Sequence, residues 1–543
     1  MQRARQTCFR WLAPAGGLIL LSACNPAPRY VKPPVAAPPA FKEAIPQQFK
    51  EGTGWKIAEP GDDKIRPSWW EMYNDPQLDA LEEQVRVSNQ SIIAAESNFR
   101  AARALVQSAR SALFPTITTA PSYTNSRFSS TGGRTSAVVP GSATSAAAGT
   151  SGGVAAGAAG NIINDFSLPV DVTYTVDLWH RVRNTIAANA ASAQASAADI
   201  ATALLSTQSE LAQDYFEVRA LDAEREVYRQ TLENYRRSYD LTMTLLKAGL
   251  DSEEDVAQAR TQLDTATAQA TDLGVSRAQY EHAIATLIGK PAAEFSLPVA
   301  EFVPKPPPVP VALPSELLER RPDIAALERQ VAAGNAQIGV ARAAYYPNLT
   351  LSATGGFETS HFLEWLTWPS RFWSLGPTLA QTLFDAGARR AATEQAQAQY
   401  DAAVANYRQT VLSDFQAVED NLSTLRILAQ EVGEQEAAIR SSGQYLDLAL
   451  TRFRTGIDSY LNVLTAQTAL LTNRQTEVQI ELRQMTASVS LIMALGGGWD
   501  ASQLPKVEDL AKKSQPVNRQ IIAQPANLAA PNPPPLPRDA AQQ

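Results

Sequence analysis

The spacing of hydrophobic residues changes from a helical period to a strand period part-way along each half of this chain. A first set recurs every three or four residues: Ile92, Ala95, Phe99 and Ala102. This spacing predicts an amphipathic helix over 89–113, which ends before Pro115. From 170 to 177 apolar residues alternate with polar ones, and the alternation returns at 349–354. A period of two predicts strands with one apolar and one polar face.

Two long stretches without proline follow the strands, at 183–245 and 389–452, and both are rich in Ala, Gln, Glu and Arg. Their apolar residues recur at threes and fours, which is the pattern of coiled-coil helices. At about 1.5 Å per residue, each predicted helix reaches about 95 Å. Return helices are predicted at 252–288 and 459–495, and a return helix plus a leading helix has about the same length. The pattern therefore predicts a rod with one long helix beside two stacked shorter helices.

The chain contains an internal duplication. Residues 89–118 align without a gap on 321–350, and a second gapless match aligns the turn at Gly249 with the turn at Gly456. A repeat of about two hundred residues indicates a duplicated domain-sized unit rather than a short solenoid repeat.

The duplication divides the chain into six predicted segments. They are a signal peptide (1–23), a lipid-anchored linker (24–66), a first repeat (67–290), a Pro-rich equatorial linker (291–314), a second repeat (315–499) and a disordered tail (500–543). Each repeat is expected to contain a leading helix, a strand pair, a long helix and a return helix. The strand pairs are predicted at 115–128 with 165–178 and at 347–358 with 371–384.

Composition excludes several kinds of site. The chain has 47 basic and 55 acidic residues and no basic tract, which argues against nucleic acid as a partner. Its two cysteines, Cys8 and Cys24, both lie at the N-terminus, so the folded part holds neither a disulfide nor a cysteine metal site. With three histidines in the whole chain, we expect no metal site and no cofactor.

The N-terminus has the pattern of a secretory signal. Arg3, Arg5 and Arg10 precede an apolar stretch that is too short to span a membrane, and small residues then lead to Cys24. Cleavage before a cysteine resembles the bacterial lipobox, so we predict that Cys24 is acylated and anchors the protein to outer-membrane lipid. A plain signal peptide beside an incidental cysteine is the alternative. Proline and alanine dominate 26–40, which predicts an extended tether.

The alternating strands admit two interpretations. A soluble sandwich would show the same alternation. The chain is exported, however, and has no apolar run of eighteen residues after its signal, so any membrane crossing must be made by strands. Four strands per chain are too few for a closed transmembrane barrel, which needs at least about eight. Several copies would therefore share one barrel, and two, three or four copies would supply roughly eight, twelve or sixteen strands.

The turns between long and return helices are also predictable. Gly249 and Gly456 suit the left-handed position that closes a helix. Four residues are candidates for capping the helices that follow: Asp251, Ser252, Asp458 and Ser459. Glu254 stands where a capping box would place it. Two such turns per chain would form the exposed tip of the rod.

Several short motifs occur in a fixed order along this duplicated chain. They are Arg29-Tyr-Val-Lys-Pro33, Trp69-Trp70, Asn74-Asp-Pro-Gln-Leu78, Asp177-Leu-Trp179, Arg321-Pro-Asp-Ile324, Ala341-Arg-Ala-Ala-Tyr-Tyr-Pro347, and Arg454-Thr-Gly456 through Leu464-Thr-Ala-Gln467. In this order they resemble the TolC/OprM outer-membrane factor family, and within it the NodT-type lipoproteins of resistance-nodulation-division (RND) efflux systems. The resemblance runs from Cys24 to about Trp499.

The resemblance implies an α+β membrane protein with the outer-membrane efflux channel fold. Each protomer of a homotrimer would give four β-strands to a shared twelve-stranded barrel in the outer membrane. Long coiled-coil-like helices would continue this barrel as a tunnel in the periplasm. Such channels join a periplasmic adaptor protein and an inner-membrane RND-type pump, and they pass drugs or other small molecules without chemistry of their own.

The resemblance also implies roles for individual residues. Contact with the adaptor falls to the tip residues Gly249, Asp251, Ser252, Gly456, Asp458 and Ser459. The candidate residues for a pore constriction in the periplasm are Asp458, Asn462 and Thr465; relatives carry acidic residues near these positions. The Ala/Gly/Ser/Thr tract at 129–160 would be a mobile extracellular loop.

Three other functions are alternatives to a small-molecule channel. An enzyme is disfavoured because His180, His282 and His361 lie in unrelated contexts and the chain lacks a nucleophile or phosphate-binding motif. A lipid-anchored periplasmic scaffold would leave the alternating strands without a membrane to face. A channel for type I protein secretion is disfavoured only by the family resemblance.

Overall fold

The computed structural model describes residues 25–35, 37–38, 41–43, 68–127, 162–309 and 314–510. The predicted signal peptide, Cys24, the 129–160 tract and the tail after residue 510 lie outside the described residues. None of the described helices is long and apolar enough to cross a membrane.

Helices make up most of the described chain. They are α1 (Pro76–Ser88), α2 (Gln90–Ser111), α3 (Arg181–Lys247), α4 (Glu253–Leu287), α5 (Pro314–Arg320), α6 (Pro322–Ala343), α7 (Ala388–Arg454), α8 (Tyr460–Ala494) and α9 (Val507–Leu510). The strands are β1 (Thr116–Thr119), β2 (Ser122–Arg127), β3 (Ile162–Val176), β4 (Asn348–Thr359) and β5 (Arg371–Ala380).

The two long helices determine the length of the molecule. Helices α3 and α7 have 67 residues each, which corresponds to about 100 Å. Helix α3 packs along α2 and α4, and helix α7 packs along α6 and α8. Helix α3 also packs against α6 and α8, so the two halves share one helical body.

The two shorter helices of each half meet at a joint, and the joints of the two halves are alike. In the first half, the Asn89 side-chain amide donates to the Leu287 carbonyl at 2.8 Å. In the second half, the aligned residue Arg321 donates to the Ala494 carbonyl at 2.9 Å. Each bond ties the start of a leading helix to the last carbonyls of a return helix, where helical partners are missing. The sequence duplication is therefore repeated in the contacts.

A glycine follows the return helix at each joint. Gly289 and Gly496 adopt φ angles of 70° and 93°, in the left-handed region that disfavours other residues. Each Cα lies against a backbone carbonyl, that of Ser88 in the first half and that of Arg320 in the second, and a Cβ would overlap that oxygen. Both glycines are therefore required by conformation and by space.

The main hydrophobic core surrounds these joints. It joins α1, α3, α6, α7 and α8, and its fully buried members include Trp69, Tyr215, Tyr407 and Leu491. This core lies part-way along the long helices, between the sheet at one end and the α3–α4 and α7–α8 turns at the other. It therefore forms the waist of the molecule. The Trp69-Trp70 motif contributes its two indoles to the same core.

A buried ion-pair network ties the Pro-rich segment to the waist. Arg219 is 2% exposed and donates to the Pro298 carbonyl at 2.8 Å. Arg277 pairs with buried Asp222 at 2.7 Å and donates to the Leu297 carbonyl at 2.8 Å. Buried charges of this kind are tolerated only when they are paired and hydrogen-bonded. The network therefore holds the Pro-rich segment against α3 and α4.

The strands form one antiparallel sheet at the far end of the helices. Strands β1 and β2 both pair with β3, β3 pairs with β4, and β4 pairs with β5. The strand predicted at 115–128 is broken between β1 and β2 at Ala120 and Pro121, because proline lacks the N–H that a ladder needs. Strand β5 ends at Ala380, four residues earlier than predicted.

The register gives the sheet one apolar and one polar face. Val172 pairs with Ile117 on one side and with Ala353 on the other, so apolar residues line up across the strands. On the opposite face, the Thr354 hydroxyl donates to Asp171 at 2.7 Å. Apart from the Phe166 end, where loop residues pack, much of the apolar face is exposed within the described residues, and Trp373 on it is 78% exposed. This exposed apolar surface is the opposite of what a soluble sandwich requires.

The described residues between 25 and 43, which we call the N-terminal strap, run along the helices. Asn184, near the start of α3, donates to the Asn25 side chain at 3.1 Å. Asn335 donates to the Pro28 carbonyl at 2.9 Å. The strap thus begins at the sheet end of the helical body.

The start of the C-terminal segment is packed as well. Gln194 donates to the Pro505 carbonyl at 2.9 Å, and Leu510 is buried with Val106 and Ile186. The prediction of a disordered segment over 500–543 is therefore wrong for 500–510. These residues fold because Leu504 and Leu510, together with the preceding Trp499, have apolar helix faces to cover.

Candidate functional site

The candidate site is the tip formed by the α3–α4 and α7–α8 turns, at the end of the helices away from the sheet. Gly249 and Gly456 have φ angles of 70° and 72°. At the first turn, the Leu250 N–H donates to the Leu245 carbonyl at 2.9 Å; at the second, the Ile457 N–H donates to the Arg452 carbonyl at 2.9 Å. Both turns are Schellman motifs, in which a left-handed glycine satisfies the last carbonyls of a helix.

Ser252 caps the helix after the first turn. Its hydroxyl accepts from the Asp255 N–H at 3.1 Å and donates to the Asp255 carboxylate at 2.9 Å. The expectation that Glu254 completes a capping box is wrong, because with Ser252 at the N-cap the third helical position is Asp255. Asp251 lies beside this pair, and burial together with nearby Asp255 raises the pKa of the Asp251 carboxyl.

The second turn is held by side chains in a different way. Asp458 accepts from Arg452 at 2.7 Å and from the Asn462 amide at 2.9 Å. The hydrogen bond from Arg452 holds the pKa of the Asp458 carboxyl below its usual value. Ser459 occupies the N-cap of α8 without a side-chain capping bond. The Asp458 carboxylate is therefore already hydrogen-bonded by residues of its own chain.

The residues predicted for a constriction are only partly brought together. Asp458 and Asn462 are hydrogen-bonded to each other. The Thr465 hydroxyl instead donates to the Leu461 carbonyl at 2.8 Å, within its own helix. A threonine bound to its preceding turn in this way has committed its only donor.

Just above the turns, the two hairpins are joined by apolar and polar contacts. Phe453 and Tyr460 pack edge to face with ring centres 5.5 Å apart, within a cluster that also contains Ala259 of α4. The buried Gln467 amide donates to the Ser238 hydroxyl at 2.8 Å, from α8 to α3. These contacts make the two hairpins one tip rather than two independent ends.

Exposed apolar side chains at the tip were not predicted from the sequence. Leu250 is 76% exposed and Ile457 is 66% exposed. Each directly follows its turn glycine at an aligned position. This repeated position was the signal in the sequence that could have indicated them. Leu461, one turn into α8, is 55% exposed. Exposed apolar residues grouped at one end of a protein mark a contact surface.

The junction between sheet and helices is the other end of the candidate channel. Asp177 accepts from the Val182 and Arg183 N–H groups, both at 3.0 Å, and so caps α3. The Trp179 indole donates to the Pro347 carbonyl at 2.9 Å and stacks on Tyr346. The Asp177-Leu-Trp179 and Tyr-Tyr-Pro347 motifs therefore lock the two halves where strand becomes helix.

Two stretches of the chain, residues 81–290 and 313–497, match the family of outer membrane efflux proteins. The chain belongs to this outer membrane efflux protein family. The two matched stretches correspond to the two sequence repeats. The predicted family is therefore confirmed.

Relatives with similar sequences come from Pseudomonas. The solvent efflux pump outer membrane protein SrpC of Pseudomonas putida is 30% identical over 509 residues, which cover 90% of this chain and 98% of SrpC. The probable efflux pump outer membrane protein TtgC of Pseudomonas putida is 29% identical over 88% of this chain and 94% of TtgC. The pyoverdine export outer membrane protein OpmQ of Pseudomonas aeruginosa is 29% identical over 91% of this chain and 97% of OpmQ.

Solved structures show the same fold. The outer-membrane channel OprN superposes with a TM-score of 0.76 at 27% identity, covering 88% of this chain and all of OprN. The Campylobacter jejuni CmeC outer membrane channel superposes with a TM-score of 0.74 at 21% identity, covering 89% of this chain and 97% of CmeC.

The predicted fold class, function and location are therefore confirmed. The protein is an efflux channel component of the outer membrane with the α+β fold of its family, and its helices extend into the periplasm. The exposed apolar face of the sheet is suited to contact with lipid. The roles assigned to Cys24 and to the tip residues stay predictions.

Proposed function

We propose that three copies of this chain form one continuous channel that conducts small molecules from a periplasmic adaptor and an RND-type inner-membrane pump to the outside. The observation that carries this proposal is the sheet. It has an exposed apolar face, a polar face, and unpaired edges at β1, β2 and β5 among the described residues.

The sheet itself supports sharing between chains. Closing a transmembrane sheet requires at least about eight strands, and an open edge is not tolerated in lipid. This chain offers four strand positions, because β1 and β2 together occupy one of them. Three copies supply about twelve, and the family resemblance favours that number over eight or sixteen.

The names of the relatives support small molecules as the cargo. They are named for efflux of toluene and solvents, for antibiotics and for pyoverdine. We infer that this chain also conducts small organic compounds and performs no chemistry on them. The polar face of the sheet, with Asp171 and Thr354, would line the outer part of the path.

We also propose that Cys24 is the lipid anchor. Asn25, the next residue, is bonded to Asn184 near the start of α3, at the sheet end of the helices. An acyl chain on Cys24 would therefore begin beside the membrane surface without a long tether. The strap that follows leads away from the membrane along the helices.

At the tip, we propose contact with the adaptor through the two turns. The residues are Gly249, Asp251, Ser252, Gly456, Asp458 and Ser459, and the structure adds Leu250 and Ile457. The two exposed apolar side chains would supply most of the contact energy, because burying a Leu or Ile contributes about 1.5–3 kcal/mol. The surrounding polar groups would determine orientation.

We propose further that Arg452 and Asp458 together hold the tip closed. Two arrangements are possible once three copies meet. Asp458 acts as a latch through its ion pair with Arg452, or it contributes negative charge to the constriction. The present pairing favours the latch, because Asp458 is already neutralised by its own chain.

Single-channel conductance in planar bilayers tests the channel and separates these two roles. In the latch arrangement, Asp458→Ala and Arg452→Ala both increase conductance, and the double variant resembles either one. In the charged-constriction arrangement, Asp458→Ala reduces cation selectivity whereas Arg452→Ala increases it. Arg440→Ala is the control, because its ion pair with Glu436 is exposed on the side of α7. Verified folded oligomers without conductance would refute the channel.

A second experiment tests the adaptor surface. Leu250→Asp and Ile457→Asp place a charge on each exposed apolar side chain without touching a core. We expect unchanged conductance in bilayers but loss of efflux in cells that depend on this channel. Val275→Asp is the matched control, since Val275 is also exposed, at 56%, but lies on the side of α4. Equal loss of efflux in the control and the tip variants would contradict the proposed surface.

A further inference from the structure

The loop between β4 and β5 folds onto the lipid-facing side of the sheet. Phe166 lies on the apolar face, in line with Leu168 and Val170. Phe362 and Trp365 of the loop contact the Phe166 ring, with centres 5.5 and 5.8 Å away. The loop therefore packs on the apolar face of the sheet rather than over the polar face.

The same side of the sheet carries an arginine. Arg371 opens β5 and pairs with Phe357, which in turn pairs with Leu168, so Arg371 belongs to the lipid-facing row. Its guanidinium lies over the Trp368 ring, 4.1 Å from the centre, and donates to the Trp368 carbonyl at 3.3 Å. Trp368 is 73% exposed. The stacking holds the guanidinium in one orientation.

Arg371 has no carboxylate within 4 Å among the residues that the structure describes. Other arginines near the sheet differ: Arg389, at the start of α7, pairs with Asp385 at 2.5 Å. The loop's own ionisable residues, His361 and Glu364, make no ion pair with Arg371. An unpaired guanidinium next to lipid is costly unless its remaining donors find an anion or water.

The depth of Arg371 matches the outer boundary of the membrane. Leu168, on the same level, is eight residues from the end of β3 at Val176. At about 3.3 Å per residue and a tilt of about 40°, its backbone lies about 20 Å above Val176. The side chain reaches further, to Trp368 in the loop. The apolar band of such proteins is about 25 Å tall, so the guanidinium lies at headgroup level.

We propose that Arg371, held by Trp368, binds the phosphate of a phosphorylated lipid in the outer leaflet of the outer membrane. A guanidinium offers two parallel N–H donors to phosphate oxygens, and Arg371 has uncommitted donors besides the one bonded to Trp368. The surrounding rings of Trp365, Phe362 and Phe166 would contact the lipid's acyl chains. The site lies outside the conduction path and independent of the adaptor surface.

The test compares retention of two lipids by the purified full-length protein. Native mass spectrometry counts bound lipid A with both phosphates and bound lipid A from which the phosphates were removed. We expect wild type to prefer the phosphorylated form by about tenfold, as one charge-assisted pair allows. Arg371→Gln abolishes the preference, Trp368→Leu reduces it, and Arg181→Gln, an exposed arginine at the opposite end of the strands, keeps it.

Two results would overturn the site. One is equal retention of both lipids by wild type, which reduces the cluster to a nonspecific interfacial anchor. The other is an Arg371→Gln variant with an unchanged preference. If Arg371→Gln does not fold, Arg371→Lys and Trp368→Leu decide the question. Arg371→Lys keeps the positive charge, and Trp368→Leu keeps an apolar side chain. Conductance measured on the same samples separates loss of the lipid site from loss of the channel.

Discussion

Replacing Gly496 by alanine should destabilise the waist more than the same change at the tip. Gly496 closes α8 with a φ of 93°, and a Cβ there would overlap the backbone carbonyl of Arg320. The neighbouring Arg321 donates to the Ala494 carbonyl, so the two helices of the joint cannot separate without losing that hydrogen bond. Because the obstructing atom belongs to the backbone, no rotamer change can relieve the overlap.

The size of the effect follows from two terms. An L-residue in the left-handed region costs roughly 1–2 kcal/mol. Overpacking against a part that cannot rotate away adds about 1–3 kcal/mol. The free energy of unfolding should therefore fall by about 2–5 kcal/mol for Gly496→Ala.

Gly456→Ala is a matched control within the same chain. Gly456 closes a Schellman motif like that of Gly496 and has a φ of 72°, but no atom lies within 4 Å of where its Cβ would be. Only the conformational term of roughly 1–2 kcal/mol applies there. Gly289→Ala, at the other joint, should behave like Gly496→Ala because the Ser88 carbonyl obstructs its Cβ.

Thermal unfolding followed by circular dichroism of the detergent-solubilised variants gives the ranking. The expected order of melting temperatures is wild type, then Gly456→Ala, then the two joint variants together. A Gly496→Ala protein as stable as Gly456→Ala would refute the argument that close packing at the joint requires glycine. A joint variant that is mild only at Gly289 would show instead that the two joints are not equivalent.

Three further predictions concern the waist and the strap. Burial and nearby acids raise the pKa of half-buried Asp214 from 3.8 to about 7. Ionisation of Asp214 should therefore lower the stability of the folded protein as pH rises from 3.8 to about 7. Asp214→Asn should raise the melting temperature at pH 8 and leave it unchanged near pH 4. Arg277→Met should lower the free energy of unfolding by about 3 kcal/mol, because Asp222 loses its partner, and adding Asp222→Asn should recover part of that loss in denaturant titrations. Gly339→Leu should displace the N-terminal strap, since a Cβ at Gly339 would lie 2.5 Å from the Ala27 Cβ. Faster proteolysis after residue 25 with unchanged helix content would support this prediction. Unchanged proteolysis would contradict it.

The sequence by itself determined the elements whose physics is local. The change of period from 3.6 to two predicted helices followed by strands because side-chain direction depends only on the backbone of that segment. The tip glycines were predictable for the same reason, since the left-handed position at a helix end excludes most other residues. The internal duplication needed only the alignment of the two halves.

The break at Pro121 was not predicted, and the sequence left Asp251 and Ser252 as alternative caps, although both features depend on local rules. Proline at 121 should have divided the strand, and Ser252 rather than Asp251 is the N-cap of α4. The error at Glu254 followed from that difference of one residue. Helix ends are uncertain from sequence because adjacent residues can cap equally well until packing selects one.

Only the tertiary structure decided which distant residues meet. Three contacts join positions that no local pattern relates. They are the hydrogen bond from Arg321 to Ala494, the ion pair of Arg277 with Asp222 and the packing of Phe362 on Phe166. The same holds for residues 500–510, whose composition suggested disorder although Leu504 and Leu510 have a helix face to cover. Burial depends on what lies opposite, and a periodic sequence shows that a face exists without showing its partner.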